Sequence, residues 1–317
     1  FPDALMQKLD EREPARPVSP LAAAPSLAVQ FFLVPLAVVA VVAAIYGGFR
    51  MMVADDRTPE EYLSEVRSGG RERRWPAAFE LSRLMGEPDT ELQYPDLAPA
   101  LVRAFVESKG DDPRVRRYLA LAIGRLQAPP PETVATLTEA LNEADADTET
   151  AISVIWALAS LGDAAVVPRL AEMYQSQDAG VRKMVVYALG ALPDDGTHIT
   201  LRAALGDPAP DVQWNAAIAL ARHGDGRGAT VLGRMLDRDY VAGLVTSDTL
   251  AEPASEVMIS GLRAVAALGA VSVGENFRAP VAALAEADQS LKVRQAAMET
   301  LEALEISPVS RYAAEQQ

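Results

Sequence analysis

The sequence predicts an all-α protein in which one transmembrane helix precedes a solenoid of about seven helical hairpins. Two observations lead to this prediction: an uncharged apolar stretch near the start of the chain, and an apolar pattern that then recurs every 31 to 45 residues. The composition agrees, because 50% of the residues are hydrophobic while only 3 Trp, 8 Tyr and 7 Phe occur. Such a composition suits Ala-rich helices better than sheets.

The apolar stretch lies at residues 27–49 and reads LAVQFFLVPLAVVAVVAAIYGGF. At about 1.5 Å per helical residue it would extend roughly 34 Å, enough for the hydrocarbon core of a bilayer. A cleaved signal peptide is the alternative, but the stretch is long for one and begins late. We therefore expect a flexible tail at 1–26, a transmembrane helix at 27–49 and a juxtamembrane connector at 50–68. The expected membrane-anchor residues are Phe31, Phe32, Pro35 and Tyr46.

Seven related blocks in residues 69–306 predict the hairpins of the solenoid. The clearest block, DAGVRKMVVYALGAL at 178–192, places apolar residues at i, i+3, i+4, i+7, i+8 and i+11, which is one face of an α-helix. Its apolar residues are Val181, Met184, Val185, Ala188, Leu189 and Leu192. Related blocks occupy 69–84, 112–126, 147–161, 209–223, 254–268 and 290–304. Shorter amphipathic runs between the blocks supply the other helix of each hairpin, and 307–317 is expected to be a C-terminal tail.

Gly, Pro and Asp mark the joints between these helices. In the runs Asp112-Pro113 and Asp207-Pro208, Asp is expected to cap the next helix, and Pro is expected to occupy its first turn.

The blocks resemble HEAT repeats of the bacterial type that includes the phycobilisome-lyase-like group. The resemblance rests on Asp112-Pro113-x-Val115-Arg116, Asp178-x-x-Val181-Arg182 and Val293-Arg294-Gln295-Ala296-Ala297, each followed by an Ala-Leu-Gly-like helix end. It implies a right-handed α-solenoid whose second helices line the concave side. It also implies that Arg116, Asp178, Arg182 and Arg294 link neighbouring repeats rather than perform chemistry. The blocks at 69–84 and 254–268 depart from the pattern.

The composition argues against several kinds of chemistry. The chain has no Cys, and His198 and His223 are its only histidines, so thiolate sites and histidine-rich metal clusters are not expected. His223 is interpreted as a partly buried residue at a helix end, and His198 as a solvated residue of a connection. A net charge of −15 disfavours nucleic acid as a partner. We therefore expect no catalytic residue, no metal, no cofactor and no small-molecule substrate.

One position in the blocks predicts a partner-binding surface. The residue six places after each leading apolar position points away from the apolar stripe, and in five consecutive blocks it is large and apolar. These residues, called the ladder below, are Phe79, Leu121, Trp156, Tyr187 and Ile218. Packing between repeats is the alternative role for them. Trp75 and Trp214 are expected to widen the surface.

The segment at 237–256 is about ten residues longer than a regular joint requires. Its apolar side chains, including Tyr240 and Leu244, predict a second partner-binding element; a tolerated insertion is the alternative.

These features together predict a membrane-anchored, non-enzymatic scaffold that acts as an accessory or assembly subunit of a larger membrane protein complex. Its expected partners are protein subunits and the lipid bilayer, the latter contacted by residues 27–49. The expected location is the bacterial inner membrane, with the solenoid on the cytoplasmic side, although the basic residues flanking the apolar stretch are nearly balanced. The alternative is a lyase-like or chaperone HEAT protein that handles a tetrapyrrole or its acceptor protein.

Overall fold

The structure is a computed structural model that describes residues 34–53, 57–143, 147–193, 196–245, 252–269 and 274–305. The chain divides into two units, Phe1–Arg57 and Thr58–Gln317. In the first unit the described element is helix α1 (Val34–Val53). The predicted tails at 1–26 and 307–317 lie outside the described residues.

The structure corrects the predicted membrane localisation. Phe31 and Phe32 lie outside the described residues, and in α1 the described side chains belong to residues 35–46, where Pro35 and Tyr46 are both exposed. No helix in the described part of the chain combines the length and apolarity needed to cross a membrane. The assignment to the bacterial inner membrane, with the solenoid on the cytoplasmic side, is therefore wrong.

The second unit is an all-helical repeat solenoid over its described residues. Each of the seven predicted blocks forms a helix, and we call these seven the second helices. They are α3 (Arg71–Leu84), α6 (Pro113–Ile123), α8 (Thr148–Leu161), α10 (Ala179–Ala191), α12 (Pro210–Arg222), α15 (Pro253–Leu268) and α17 (Leu291–Glu305).

Each second helix packs against a helix that precedes it in the chain, and we call these partners the first helices. They are α2 (Pro59–Ser68), α5 (Leu97–Glu107), α7 (Thr133–Ala140), α9 (Val167–Met173), α11 (Thr197–Ala204), α13 (Ala229–Met235) and α16 (Arg278–Ala287). Helix α2 lies within the segment expected to be a connector. Two short helices, α4 (Thr90–Gln93) and α14 (Arg238–Ala242), lie in joints.

Aspartate caps begin several second helices, as the joints predict. The carboxylates of Asp112, Asp147 and Asp178 accept hydrogen bonds of 3.0 to 3.1 Å from backbone N–H groups in the first turns of α6, α8 and α10. Pro113 is the first residue of α6, also as predicted. The Asp207-Pro208 joint differs, because α12 begins at Pro210 and Asp207 lies ahead of its cap.

The predicted apolar stripe faces the core. In α10, Val185, Ala188 and Leu189 are fully buried, and Met184 is half-buried. Buried side chains form two clusters that meet at α12, where Ala216 and Leu220 belong to the N-terminal cluster and Ala217 and Ala221 to the C-terminal one.

Small residues let successive second helices approach closely. A Cβ atom added at Gly190 of α10 would collide with the Cβ of Ala219 in α12. A Cβ atom added at Gly124, directly after α6, would lie 2.7 Å from the Cα of Ala157 in α8. The Gly that ends the Ala-Leu-Gly-like runs is therefore required by the packing of one repeat on the next.

Arginine–carboxylate pairs connect consecutive repeats. Arg182 of α10 makes two hydrogen bonds, of 2.8 and 2.9 Å, to Asp207 in the joint that leads to α12. Arg116 of α6 makes the corresponding bonds of 2.7 and 3.0 Å to Glu143, and Arg74 of α3 contacts Asp111. The implied linking role is thus seen for Arg116 and Arg182. By contrast, Asp178 caps its own helix, and Arg294 donates to the carbonyl of Asp288 in its own joint, at 2.9 Å.

The Arg182–Asp207 pair is largely buried, with side-chain exposures of 13% and 2%. Hydrogen bonding from Arg182 outweighs burial and lowers the pKa of Asp207, and the backbone N–H of Ala209 and the hydroxyl of Tyr174 act in the same direction. Burial, together with the hydrogen bond to Asp207, raises the pKa of Tyr174 to about 12. Asp207 therefore stays ionised and Tyr174 protonated at neutral pH.

We expect Arg182→Gln to destabilise the solenoid by about 3 kcal/mol, because it leaves a buried carboxylate without its cation. Lys183→Gln is the matched control: Lys183 also joins α10 to α12, at 3.1 Å from Asp211, but both side chains are nearly half exposed. Its loss should cost less than about 1 kcal/mol. Urea unfolding followed by circular dichroism measures both, and equal midpoints for the two variants would contradict the assigned role.

We also expect the stability to fall on acidification. The pKa values of Asp207 and Glu143 are lowered in the folded chain, chiefly by hydrogen bonds from Arg182 and Arg116. Below about pH 4 the unfolded chain therefore binds protons that the folded chain does not, and the free energy of unfolding decreases as the pH falls toward the folded pKa values. In the Arg182→Gln variant the free energy of unfolding should depend less on pH. Urea titrations at several pH values test it, and parallel profiles for wild type and variant would refute it.

Candidate functional site

All five ladder residues lie on second helices, one on each of five consecutive members. Phe79 and Tyr187 are 42% and 40% exposed, and Leu121, Trp156 and Ile218 are half-buried. Because the helices are packed side by side, these side chains line one face of the solenoid. Trp156 packs against the N-terminal core cluster, where its ring lies close to Gly124, and Ile218 packs against the C-terminal cluster.

The ladder lies on the more closely packed of the two rows of helices. Successive second helices contact one another along their lengths, whereas contacts between successive first helices are sparse.

Two aromatic residues extend the apolar surface at the N-terminal end of the ladder. The ring of Tyr118 meets that of Phe79 edge to face, with centroids 5.2 Å apart. The guanidinium of Arg114 lies 4.5 Å from the ring centre of Trp75, a cation–π contact. The sequence interpretation missed Tyr118, although its position three residues before Leu121 places it on the same helix face.

Trp214 does not widen the surface as predicted. Its side chain is only 8% exposed and belongs to the C-terminal core cluster, together with residues of α13 and α15. The position of Trp214 along its helix predicts the direction of its side chain. Whether the side chain is buried depends on the neighbouring repeat, which the pattern of one helix does not describe.

The long segment before α15 contains the short helix α14 rather than an extended loop over its described residues. Arg238 at the start of α14 makes hydrogen bonds of 2.6 and 3.0 Å to Asp288, in the joint before α17. Burial alone would raise the pKa of Asp288, but hydrogen bonds from Arg238 and from the backbone N–H of Ser290 outweigh it, so that the pKa is lowered. This pair supplies a link in the sixth repeat, where the second helix has Met258 at the position of Arg182.

The two predicted contact residues of this segment differ in exposure. Leu244 is 44% exposed. Tyr240 is half-buried, and the guanidinium of Arg234 lies 5.7 Å from the centre of its ring. Residues 246–251 of the segment lie outside the described residues.

Two clefts open beside the ladder. One, of about 850 Å³, lies at the C-terminal ends of α3, α6 and α8 and is bordered by Arg83, Arg125 and Trp156. The other, of about 300 Å³, lies between α12 and α15 and includes Tyr187, Ile218, Arg222 and Arg263.

The two histidines lie beside each other, which the sequence did not predict. Their ring centres are 5.2 Å apart, and Nδ1 of His198 lies 3.5 Å from the carboxylate of Asp225. His223 is half-buried, as predicted, whereas His198 is half-buried rather than solvated. No group of three or more His, Asp or Glu residues within the described ranges is placed to hold a metal ion.

Comparison with known proteins finds repeats in the middle of the chain. The model for HEAT repeats matches residues 134–198 and 175–247, and the model for the PBS lyase HEAT-like repeat matches residues 115–143. No curated protein shows significant similarity to the sequence.

Several solved structures are similar to this chain at low sequence identity and low TM-score. A crystal structure of an engineered protein is 20% identical, with 78% of this chain and 96% of that chain covered and a TM-score of 0.41. A designed armadillo repeat protein in complex with the peptide (KR)4 is 16% identical, with 78% and 100% covered and a TM-score of 0.40. Human deoxyhypusine hydroxylase is 16% identical, with 86% and 99% covered and a TM-score of 0.32.

The matched segments coincide with repeats that the structure describes as helical hairpins, from α6 to α13. The central part of this chain, residues 115–247, therefore consists of HEAT repeats within an all-helical solenoid.

Proposed function

We propose that this chain is a non-enzymatic scaffold that binds protein partners along its second-helix face, as an accessory or assembly subunit of a larger complex. The observation that carries the proposal is the ladder, because it places large, partly exposed apolar side chains in register on five consecutive second helices. Aromatic side chains that project from fixed helices contribute a large share of the contact energy in many protein interfaces.

The links between repeats support this role. Arg116, Arg182 and Arg238 each bind a carboxylate of a later joint, and these bonds hold the ladder residues at fixed separations before a partner arrives. A surface that is already ordered loses little conformational entropy on binding, so more of the contact energy appears as affinity.

The carboxylates with shifted pKa values belong to contacts that order the fold. Each described carboxylate with a shifted pKa is shifted downward, and a hydrogen bond accounts for the shift in every case. The donor is an arginine for five of them and Ser255 for Glu252. Carboxylates held in the ionised form by neighbours in this way stabilise the fold and are poor proton donors near neutral pH.

Removing the exposed ladder residues should release the partner. We expect Phe79→Ser with Tyr187→Ser to reduce the amount of co-purifying partner by about tenfold or more, since buried aromatic anchors dominate such contacts. Affinity purification with quantitative mass spectrometry measures this loss.

The matched control is Val106→Ser with Ile199→Ser, which changes two exposed apolar residues on first helices. This control should retain the partner. If the two double variants retained the partner equally, or lost it equally, the second-helix face would not be the binding surface.

Substitution of an exposed ladder residue should lower the free energy of unfolding less than substitution of a core residue. We expect Tyr187→Ala to lower the free energy of unfolding by less than about 1 kcal/mol, because the side chain is 40% exposed. Trp214→Ala should lower it by about 3 to 5 kcal/mol, because the indole is buried. Urea unfolding of both variants provides the test. A large loss for Tyr187→Ala would assign that residue to packing between repeats.

A second candidate is a lyase-like or chaperone protein that handles a tetrapyrrole or its acceptor protein. The PBS lyase HEAT-like repeat at residues 115–143 favours it. In that case the purified protein would retain visible absorbance from a bound pigment, and Tyr187→Ser would reduce that absorbance. A colourless protein that retains a protein partner supports the scaffold.

A further inference from the structure

The cleft between α12 and α15 combines an apolar floor with cationic side chains. We call it the arginine cleft, and the residues that define it are Tyr187, Asn215, Ile218, Arg222, Ser260 and Arg263. Tyr187 and Ile218 are ladder residues, and Arg263 occupies the ladder position of α15. The apolar ladder therefore changes to a cationic surface at this point.

Arg222 and Arg263 lack a carboxylate partner among the described residues, and both are exposed. The acidic residues near the N-terminal ends of α12 and α15 are paired with lysines. Asp211 lies 3.1 Å from Lys183, and Glu256 lies 3.9 Å from Lys292. The described lining of the arginine cleft therefore carries two arginines and no carboxylate, on a chain whose net charge is −15.

Two unpaired guanidinium groups beside an apolar surface are complementary to a carboxylate next to an apolar side chain. Guanidinium groups bind carboxylates in a bidentate manner, and a cleft concentrates the field of its charges. An acidic ladder position, Glu299, follows on α17, where it accepts a hydrogen bond from Gln295 at 3.0 Å. The cationic ladder position is thus followed by an acidic one on the next second helix.

The polar side chains of the cleft suit a peptide backbone. Asn215 donates through Nδ2 to the carbonyl of Asp211, at 2.8 Å, and Ser260 donates through Oγ to the carbonyl of Glu256, at 2.9 Å. These donors are directed to carbonyl groups of their own helices. The side-chain oxygens, Oδ1 of Asn215 and Oγ of Ser260, keep lone pairs that can accept hydrogen bonds from peptide N–H groups.

We propose that the arginine cleft binds an acidic peptide segment of the partner protein. An Asp or Glu side chain of the segment lies between Arg222 and Arg263, and an adjacent apolar side chain packs on Tyr187 and Ile218. This inference rests on the proposed scaffold function and specifies the chemistry of the partner at one end of the ladder.

The test is selection from a library of random linear peptides displayed on phage, with the purified chain as target. We expect the selected peptides to be enriched in Asp and Glu relative to the unselected library. A selected peptide, synthesised with a fluorescent label, should bind about tenfold more weakly to Arg263→Glu, because one attractive charge becomes repulsive. Its affinity should also fall as the NaCl concentration rises.

The matched control is Arg103→Glu, which makes the same charge change at an exposed residue of the first helix α5. It should leave the affinity within about twofold of wild type. Circular dichroism of both variants confirms that they remain folded.

The remaining outcomes overturn the inference. Selected peptides without acidic enrichment, equal effects of Arg263→Glu and Arg103→Glu, or no selected peptide at all would each refute acidic recognition. The scaffold function is decided separately by partner capture with the Phe79→Ser and Tyr187→Ser variant. If that variant loses its partner while selection shows no acidic preference, the proposed function stands and this inference fails.

Discussion

The close contact between successive second helices is the interaction on which the rest of the solenoid depends. A single hairpin leaves most of its apolar stripe exposed, so each repeat is stable only when the next one covers it. Gly190 against Ala219 and Gly124 against Ala157 show how little space separates the helices. Arginine–carboxylate pairs then fix the joints before α6, α8, α12 and α17 relative to an earlier helix. Close packing and these bonds together hold the second-helix face in one arrangement.

The sixth repeat shows that the link between repeats is retained even when its usual residue is absent. Its second helix has Met258 where Arg182 stands in α10, and the carboxylate of Asp288 is instead bound by Arg238. That arginine comes from the segment whose length made the repeat irregular. The insertion therefore has a structural role in addition to any contact that Leu244 makes.

Within the solenoid, the sequence predicted what depends on a single helix, and it failed where neighbouring repeats decide the outcome. Helical periodicity located all seven second helices, and the cap chemistry of Asp112 located the start of α6. The burial of Trp214, the proximity of His198 to His223 and the pairing of Asp207 with Arg182 each involve a neighbouring element, and no local pattern encodes them. The partner-binding assignment of the ladder remains a prediction, because exposure permits binding without requiring it.

The meeting of two core clusters at α12 has a consequence for cooperativity. Helix α12 contributes buried residues to both clusters within the one compact unit Thr58–Gln317, so a substitution that loosens α12 would weaken the packing of both clusters. The arginine cleft takes residues from α10, α12 and α15. A ligand that binds there only when these three helices are folded would therefore stabilise the folded chain relative to the unfolded one.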